Sequence, residues 1–243
     1  MSDIIEQLRD DANYYGKVGR QYLSNSDIKD LLTDPSKYGV PTPDNIVFAK
    51  GRLFHQLILE PEKAADTECV NASTRTTDKY KKALLERGVE FMLLCKEMED
   101  IKRLSDKMLG NFDFYDAIRD ASNVYEEPAV GTIMGHEWKG KADILGADRI
   151  IDLKTTSSIK DFRYSARKYN YDSQCYIYQS LFGKPMVFFA IDKTTGMMGM
   201  YEPSEDFILR GREKVERALE VYDKFFGANA TETIETFYIQ ETL

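Results

Sequence analysis

The chain changes texture half-way along. Residues 1–122 carry apolar positions mainly at helical spacing, whereas from Asn123 onward they alternate or run together as in strands. In the first part, Ser24-Asn25-Ser26-Asp27 opens a helix in capping-box fashion. Ile28, Leu31 and Leu32 are its apolar face, and Asp34-Pro35 ends it. Pro41 and Pro43 mark a loop. A second helix begins near Phe48 and carries Leu53, Phe54, Leu57, Ile58 and Leu59 until Pro61 stops it. Residues 78–109 keep helical spacing from Leu84 through Leu104 and predict one long helix or two shorter ones.

In the second part, Tyr125–Ile133 and Glu137–Ile144 predict two strands around a Met134-Gly135-His136 turn. A tight turn at Ala147-Asp148 leads to a third strand, Arg149–Lys154, and then to a basic helix around Ile159–Lys168. A further helix covers Ser173–Phe182, strands follow at Val187–Asp192 and Met197–Tyr201, and an amphipathic helix spans Glu205–Phe226. Helices followed by β-β-β-α-β-β-α predict an α/β (α+β) fold, a mixed sheet flanked by helices. We expect one domain over 1–243, with a helical part at 1–122, the sheet and its helices at 123–229, and an acidic tail at 230–243. That tail is either a partner-docking segment or a final strand.

Alternation also decides which polar residues meet. In the second strand Lys139, Lys141 and Asp143 share one face, and Trp138, Gly140 and Ala142 the other. In the third, Ile150, Asp152 and Lys154 share a face. Pairing the two strands sets Asp143 beside Asp152 with Lys154 one pleat away. Like charges so placed repel, and a cation between them removes the penalty. Two carboxylates with a main-chain carbonyl suit a hard divalent cation. Alternation alone also fits a half-exposed hairpin.

Composition narrows the setting. With 243 residues, 42% of them hydrophobic, the chain can bury one substantial core. No run of about 18 apolar residues occurs, so no membrane span is expected. The start, MSDIIEQLRDD, is unlike a secretory signal. Three scattered cysteines, Cys69, Cys95 and Cys175, argue against a disulfide framework or zinc knuckle and for a reducing cytoplasm. A net charge of -8 sits awkwardly with a nucleic-acid partner. The balance reverses locally over 154–168, where Lys154, Lys160, Arg163, Arg167 and Lys168 face one acid, Asp161. Lys160, Arg163 and Arg167 fall at i, i+3 and i+7, a helical stripe fit for a DNA backbone or for solvent.

Four segments in order, Gly51-Arg52-Leu53-Phe54-His55, Gly140-Lys141-Ala142-Asp143, Asp152-Leu153-Lys154 and Gln174-Cys175-Tyr176-Ile177-Tyr178, resemble the signatures of the RecB-like PD-(D/E)xK nucleases. The exonuclease VIII (RecE-type) branch of phage recombination is the nearest likeness. The resemblance implies a restriction-endonuclease-like fold and a 5′-3′ exonuclease acting on double-stranded DNA ends with Mg²⁺ or Mn²⁺. It makes Asp143, Asp152 and the Leu153 carbonyl metal ligands, with Lys154 orienting or deprotonating the attacking water. His55 becomes a further ligand or a phosphate contact. Gln174 and Tyr178, four apart on a helix, are expected to hold Lys154 or a phosphate. Of the neighbours Glu126 and Glu127, Glu127 aligns better with the family's upstream acid. Lys141 joins Lys160, Arg163 and Arg167 as an expected DNA contact. A homo-oligomeric ring (trimer or tetramer) and a single-strand annealing protein are implied partners. Two departures stand out: Ala142 where the family name expects proline, and no cysteine set for an iron–sulfur cluster. The other readings are an endonuclease or single-strand nuclease on the same site, or an idle DNA-binding protein.

Overall fold

A computed structural model describes residues 2–239. The chain opens with two short helices, α1 (Ser2–Arg9) and α2 (Asp11–Tyr15), and then α3 (Asn25–Thr33). The Asp27 carboxylate accepts the Ser24 N–H at 2.7 Å, which closes the expected capping box. Helix α4 (Ile46–Leu59) starts where the Asn45 side chain takes the Val47 and Phe48 N–H groups, and short α5 (Pro61–Ala65) follows the proline that stops it.

The 78–109 run is two helices with a break between them. Strand β1 (Cys69–Val70) precedes α6 (Asp78–Arg87), β2 (Leu93–Leu94) interrupts, and α7 (Cys95–Leu109) and α8 (Phe112–Ile118) follow. Gly88 in a left-handed turn ends α6. β1 and β2 pair in parallel, which sets Cys69 beside Leu93 and brings Cys95 within a Cα separation of 5.0 Å. Cys69 and Cys95 are disulfide-bonded. This corrects the expectation from cysteine spacing, and with it the argument for a reducing compartment. A gap of 26 residues hid a pairing that the two short strands create. Cys175 is free and buried.

The main sheet comprises β3 (Val124–Ile133), β4 (His136–Leu145), β5 (Ile150–Thr156), β6 (Met186–Asp192) and β7 (Met198–Tyr201), in that spatial order. All pairs are antiparallel except β5–β6, which α9 (Phe162–Lys168) and α10 (Tyr171–Phe182) connect. Helix α11 (Glu205–Phe225) closes the regular structure. The mixed sheet with flanking helices is the fold the sequence predicts. Of the expected tail, 230–239 hold one short turn of 3₁₀ helix and no strand among the described residues, and 240–243 lie outside them. Among the described residues no helix is long and apolar enough to cross a membrane.

Both faces of the sheet are covered. On one, Ile144, Ile151, Leu153, Val187, Phe189 and Ile191 pack on Leu53, Phe54 and Ile58 of α4 and on α7 and α8. On the other, Ile150, Met186, Phe188 and Ala190 meet Phe162 of α9 and Cys175 of α10. A third cluster joins Trp138 at the hairpin end to Ile28 and Leu31 of α3, Ile177 of α10 and Val215 of α11. Each such buried side chain contributes roughly 1.5–3 kcal/mol. The covering elements are therefore rigid supports for what they carry.

Candidate active site

The polar centre lies where the β4–β5 ladder opens. The two strands are paired only at Ile144–Ile151 and Leu145–Ile150, and Asp143 and Asp152 are the next residues beyond that pairing. Here a side chain replaces the ladder: Asp143 Oδ2 accepts the Leu153 N–H at 2.7 Å. On the other side, β3 pairs with β4 through Tyr125–Ile144 and Glu127–Ala142, which sets Glu126 across from Asp143. Glu126 is itself left-handed, with φ of 50°. Three carboxylates, Glu126, Asp143 and Asp152, thus form a row across β3, β4 and β5.

Helix α4 adds a base to this row. His55 Nδ1 lies 3.4 Å from Asp143 Oδ1, and ligand atoms of His55, Glu126 and Asp143 all fall within 4.8 Å of one another. His55 follows Phe54, whose ring is fully buried under the sheet, so core packing of α4 fixes where the imidazole points. Lys154, one pleat along β5, pairs with the buried Asp152 carboxylate, and its ammonium lies 4.8 Å from the Tyr171 ring centroid.

Helix α10 holds the far side. Gln174 donates to Asp152 Oδ1 at 2.6 Å, and the Tyr178 hydroxyl accepts the Lys141 main-chain N–H at 3.4 Å. The sequence predicted that these two share a face, but their partners are Asp152 and the β4 backbone rather than Lys154. Two glycines bring α10 close enough. A methyl group at Gly140 would sit 3.0 Å from the Tyr178 ring, and one at Gly211 of α11 would sit 2.0 Å from the Asp172 carbonyl oxygen. Lys214 of α11 then ties the buried Asp172 at 2.8 Å.

The electrostatics follow from crowding. Burial pushes the Glu126 carboxyl up to about 8, and the neighbouring Asp143 charge adds to the rise. Burial and Asp143 likewise lift Asp152 to about 6, although Lys154 opposes them. Burial would raise Asp143 too, but His55, Lys154 and the Leu153 N–H hold it below the usual carboxylate range. Burial alone would lower His55; the Asp143 carboxylate outweighs it and carries the imidazole up to about 9. For Lys154 the Asp152 charge likewise outweighs burial, so the ammonium stays protonated. The donor set of carboxylate oxygens with one imidazole nitrogen fits a divalent cation such as Mg²⁺ or Mn²⁺, and crowded buried acids are what such a cation relieves.

Two expected residues are placed elsewhere. Glu127 faces away and pairs with Arg9 of α1 at 2.6 Å, whereas Glu126 lies with Asp143 and His55. Strand alternation separates the two neighbours, and the β3–β4 register decides between them. Lys141 is buried, bonded to Asp11 Oδ1 at 2.7 Å and lying 4.5 Å from the Tyr14 ring centroid. It faces α2 rather than solvent. Lys160, Arg163 and Arg167 are exposed as expected, but α9 begins at Phe162, so Lys160 precedes the helix. Alternation on β3 was the available signal for Glu126; nothing in the sequence signalled the Tyr171 ring beside Lys154.

Residues 37–231 match the sequence profile of the family described as a PDDEXK-like domain of unknown function (DUF3799). The chain belongs to this PDDEXK-like family. Its fold is similar over 96% of the chain to the solved "Putative exonuclease" from Eubacterium rectale, 95% of which is covered, at 16% identity and a TM-score of 0.63. More distant are an alkaline exonuclease from Laribacter hongkongensis (13% identity, 92% and 94% covered, TM-score 0.37) and a phage related exonuclease from Haemophilus somnus 129PT (15%, 70% and 92%, 0.34). No curated protein matches the sequence. The first of these structures agrees with this PDDEXK-like fold over nearly its whole length; the other two add nothing to that.

Proposed function

We propose that the chain is a metal-dependent deoxyribonuclease, with the helical part and the sheet working as one unit. The observation that carries this reading is the row of Glu126, Asp143 and Asp152 with His55 on Asp143 and Lys154 on Asp152. Glu126, Asp143 and His55 would hold a divalent cation, with Asp152 and the Leu153 carbonyl adjoining. When bound, Mg²⁺ or Mn²⁺ supplies Lewis-acid polarisation of a phosphoryl oxygen and a more acidic water.

The chain's own residues supply the rest. Lys154, held charged by Asp152, acts as a fixed cation and not as a base; its ammonium offsets the charge that develops on the phosphoryl oxygens when water attacks. Gln174 and Tyr171 restrict Asp152 and Lys154, so neither has to reorganise during reaction. Water adds to phosphorus in line, the P–O bond to the leaving 3′ oxygen breaks, and a 5′ phosphate remains.

The finer reading is a 5′-3′ exonuclease on double-stranded ends, as the likeness to phage recombination exonucleases implies. The same likeness supplies an oligomeric ring and an annealing partner. The exposed cations Lys160, Arg163 and Arg167 would meet the DNA backbone. Digestion of 5′-labelled, 3′-labelled and closed-circular duplex with Mg²⁺ tests it. Early release of the 5′ label with the circle intact is expected. Cutting of the circle would make the enzyme an endonuclease, and early release of the 3′ label would reverse the polarity.

A further inference from the structure

Gly51 lies inside α4, where glycine is the poorest choice after proline. Among the described residues nothing asks for it. Its backbone is not left-handed, and a methyl group built there meets no atom within 4 Å. The contrast with Gly140 and Gly211, each pressed by a neighbour, is sharp. The space over Gly51 opens outward.

What lies along that face gives the opening a use. One turn on is His55, 3.4 Å from Asp143; one turn back are Val47 and Phe48, 66% and 50% exposed. Beside them Arg52 is exposed, its guanidinium 2.6 Å from Asp44 at the surface. Leading away from the acidic row there is bare main chain, then an exposed ring with a cation at its flank.

We propose that the strand being cut leaves the acidic row along this face of α4, with its sugar–phosphate backbone against the main chain at Gly51. Arg52 takes a phosphate, and Phe48 packs on the next sugar or base. The proposal rests on the nuclease reading and adds to it a strand path and three contact residues. A side chain at 51 would lift the strand by about the width of a methyl group, and displacements of about 1 Å at a reacting centre cost on the order of a hundredfold in rate.

The test is Gly51→Ala with Gly51→Leu as a graded second variant. Thermal melting, cleavage kinetics on linear duplex, and anisotropy of a labelled duplex in EDTA would be read together. Gly51→Ala should melt about 2–4 °C higher, because alanine favours the helix and has room. Its kcat/KM on linear duplex should fall about tenfold or more, and Gly51→Leu should be worse. A Gly51→Ala protein that melts higher and cleaves with wild-type kcat/KM would overturn the proposal, as would one that melts lower. If the wild type cleaves nothing, the nuclease reading falls by itself and anisotropy decides. Weaker binding by Gly51→Ala would then support the strand path, and equal or absent binding would overturn it.

Discussion

Glu126 on β3 stands across from Asp143 on β4, and this pair, with His55 of α4, gathers ligand atoms within 4.8 Å of one another. Glu127, the better sequence match, points instead to Arg9. One residue of strand alternation thus decides which acid lies beside Asp143 and His55.

The first prediction exchanges the two neighbours. Glu126→Gln should lower the turnover of linear duplex DNA by about a hundredfold or more. It should still fold, since burial keeps Glu126 protonated at neutral pH and glutamine is a close substitute. Glu127→Gln breaks a partly exposed pair, worth about 1 kcal/mol at most, and should keep turnover within roughly threefold. Steady-state rates with melting curves for both variants check it; equal losses would refute the assignment.

Gln174, bonded to Asp152, is expected to act through it as a positioning residue. Removing its amide takes a donor from a buried carboxylate, a cost of about 1–3 kcal/mol. Gln174→Ala should lower kcat about tenfold and leave KM nearly unchanged. The lost hydrogen bond favoured the charged form, so the acid limb of the pH–rate profile should move to higher pH. A shift in KM alone would instead assign Gln174 to DNA binding.

Metal and protons should compete. Glu126, lifted to about 8, and His55, lifted to about 9, both hold protons more tightly folded than unfolded. Their stabilisation is complete below the unfolded values and is lost as pH rises through the folded ones. The metal-free protein should therefore melt progressively lower from about pH 6 to pH 9. Added Mg²⁺ needs those groups deprotonated, so its gain in Tm should grow over the same range. Calorimetry at pH 6, 7.5 and 9 with EDTA or Mg²⁺ reads both trends, and a Mg²⁺ gain greatest at pH 6 would contradict the ligand set.

The disulfide staples a segment that contains α6. Its loop of 26 residues corresponds to about 3–4 kcal/mol by chain entropy. Reduction should lower Tm by about 10 °C and expose 70–94 to proteolysis. Peptide mapping without reductant should recover Cys69 joined to Cys95, with Cys175 alkylated only after unfolding. Free Cys69 and Cys95 in the purified protein would refute the pairing.

Much of this was legible because local rules agreed with tertiary ones. The Ser24–Asp27 cap, Pro61 and the Met134-Gly135-His136 turn each set a boundary by their own chemistry. Asp143 and Asp152 both lie just beyond the β4–β5 pairing, and the 174/178 spacing put Gln174 and Tyr178 on one helix face. What was not legible depends on distant packing. The Cys69–Cys95 link needs two-residue strands that no pattern announces, and the burial of Lys141 needs α2 to fold back across β4. Gln174 meets Asp152 rather than Lys154 because Gly140 and Gly211 set how closely α10 approaches the sheet.

The central claim is that the acidic row and Lys154 hydrolyse DNA with a divalent cation. Release of acid-soluble nucleotide from linear duplex tests it most directly, with wild type and Asp152→Asn assayed side by side in Mg²⁺, Mn²⁺ and EDTA. Wild type should degrade the duplex with either metal and stop in EDTA, and Asp152→Asn should be slower by about a hundredfold or more. A wild-type protein inert with both metals, or an Asp152→Asn protein that degrades DNA at the wild-type rate, would contradict the account.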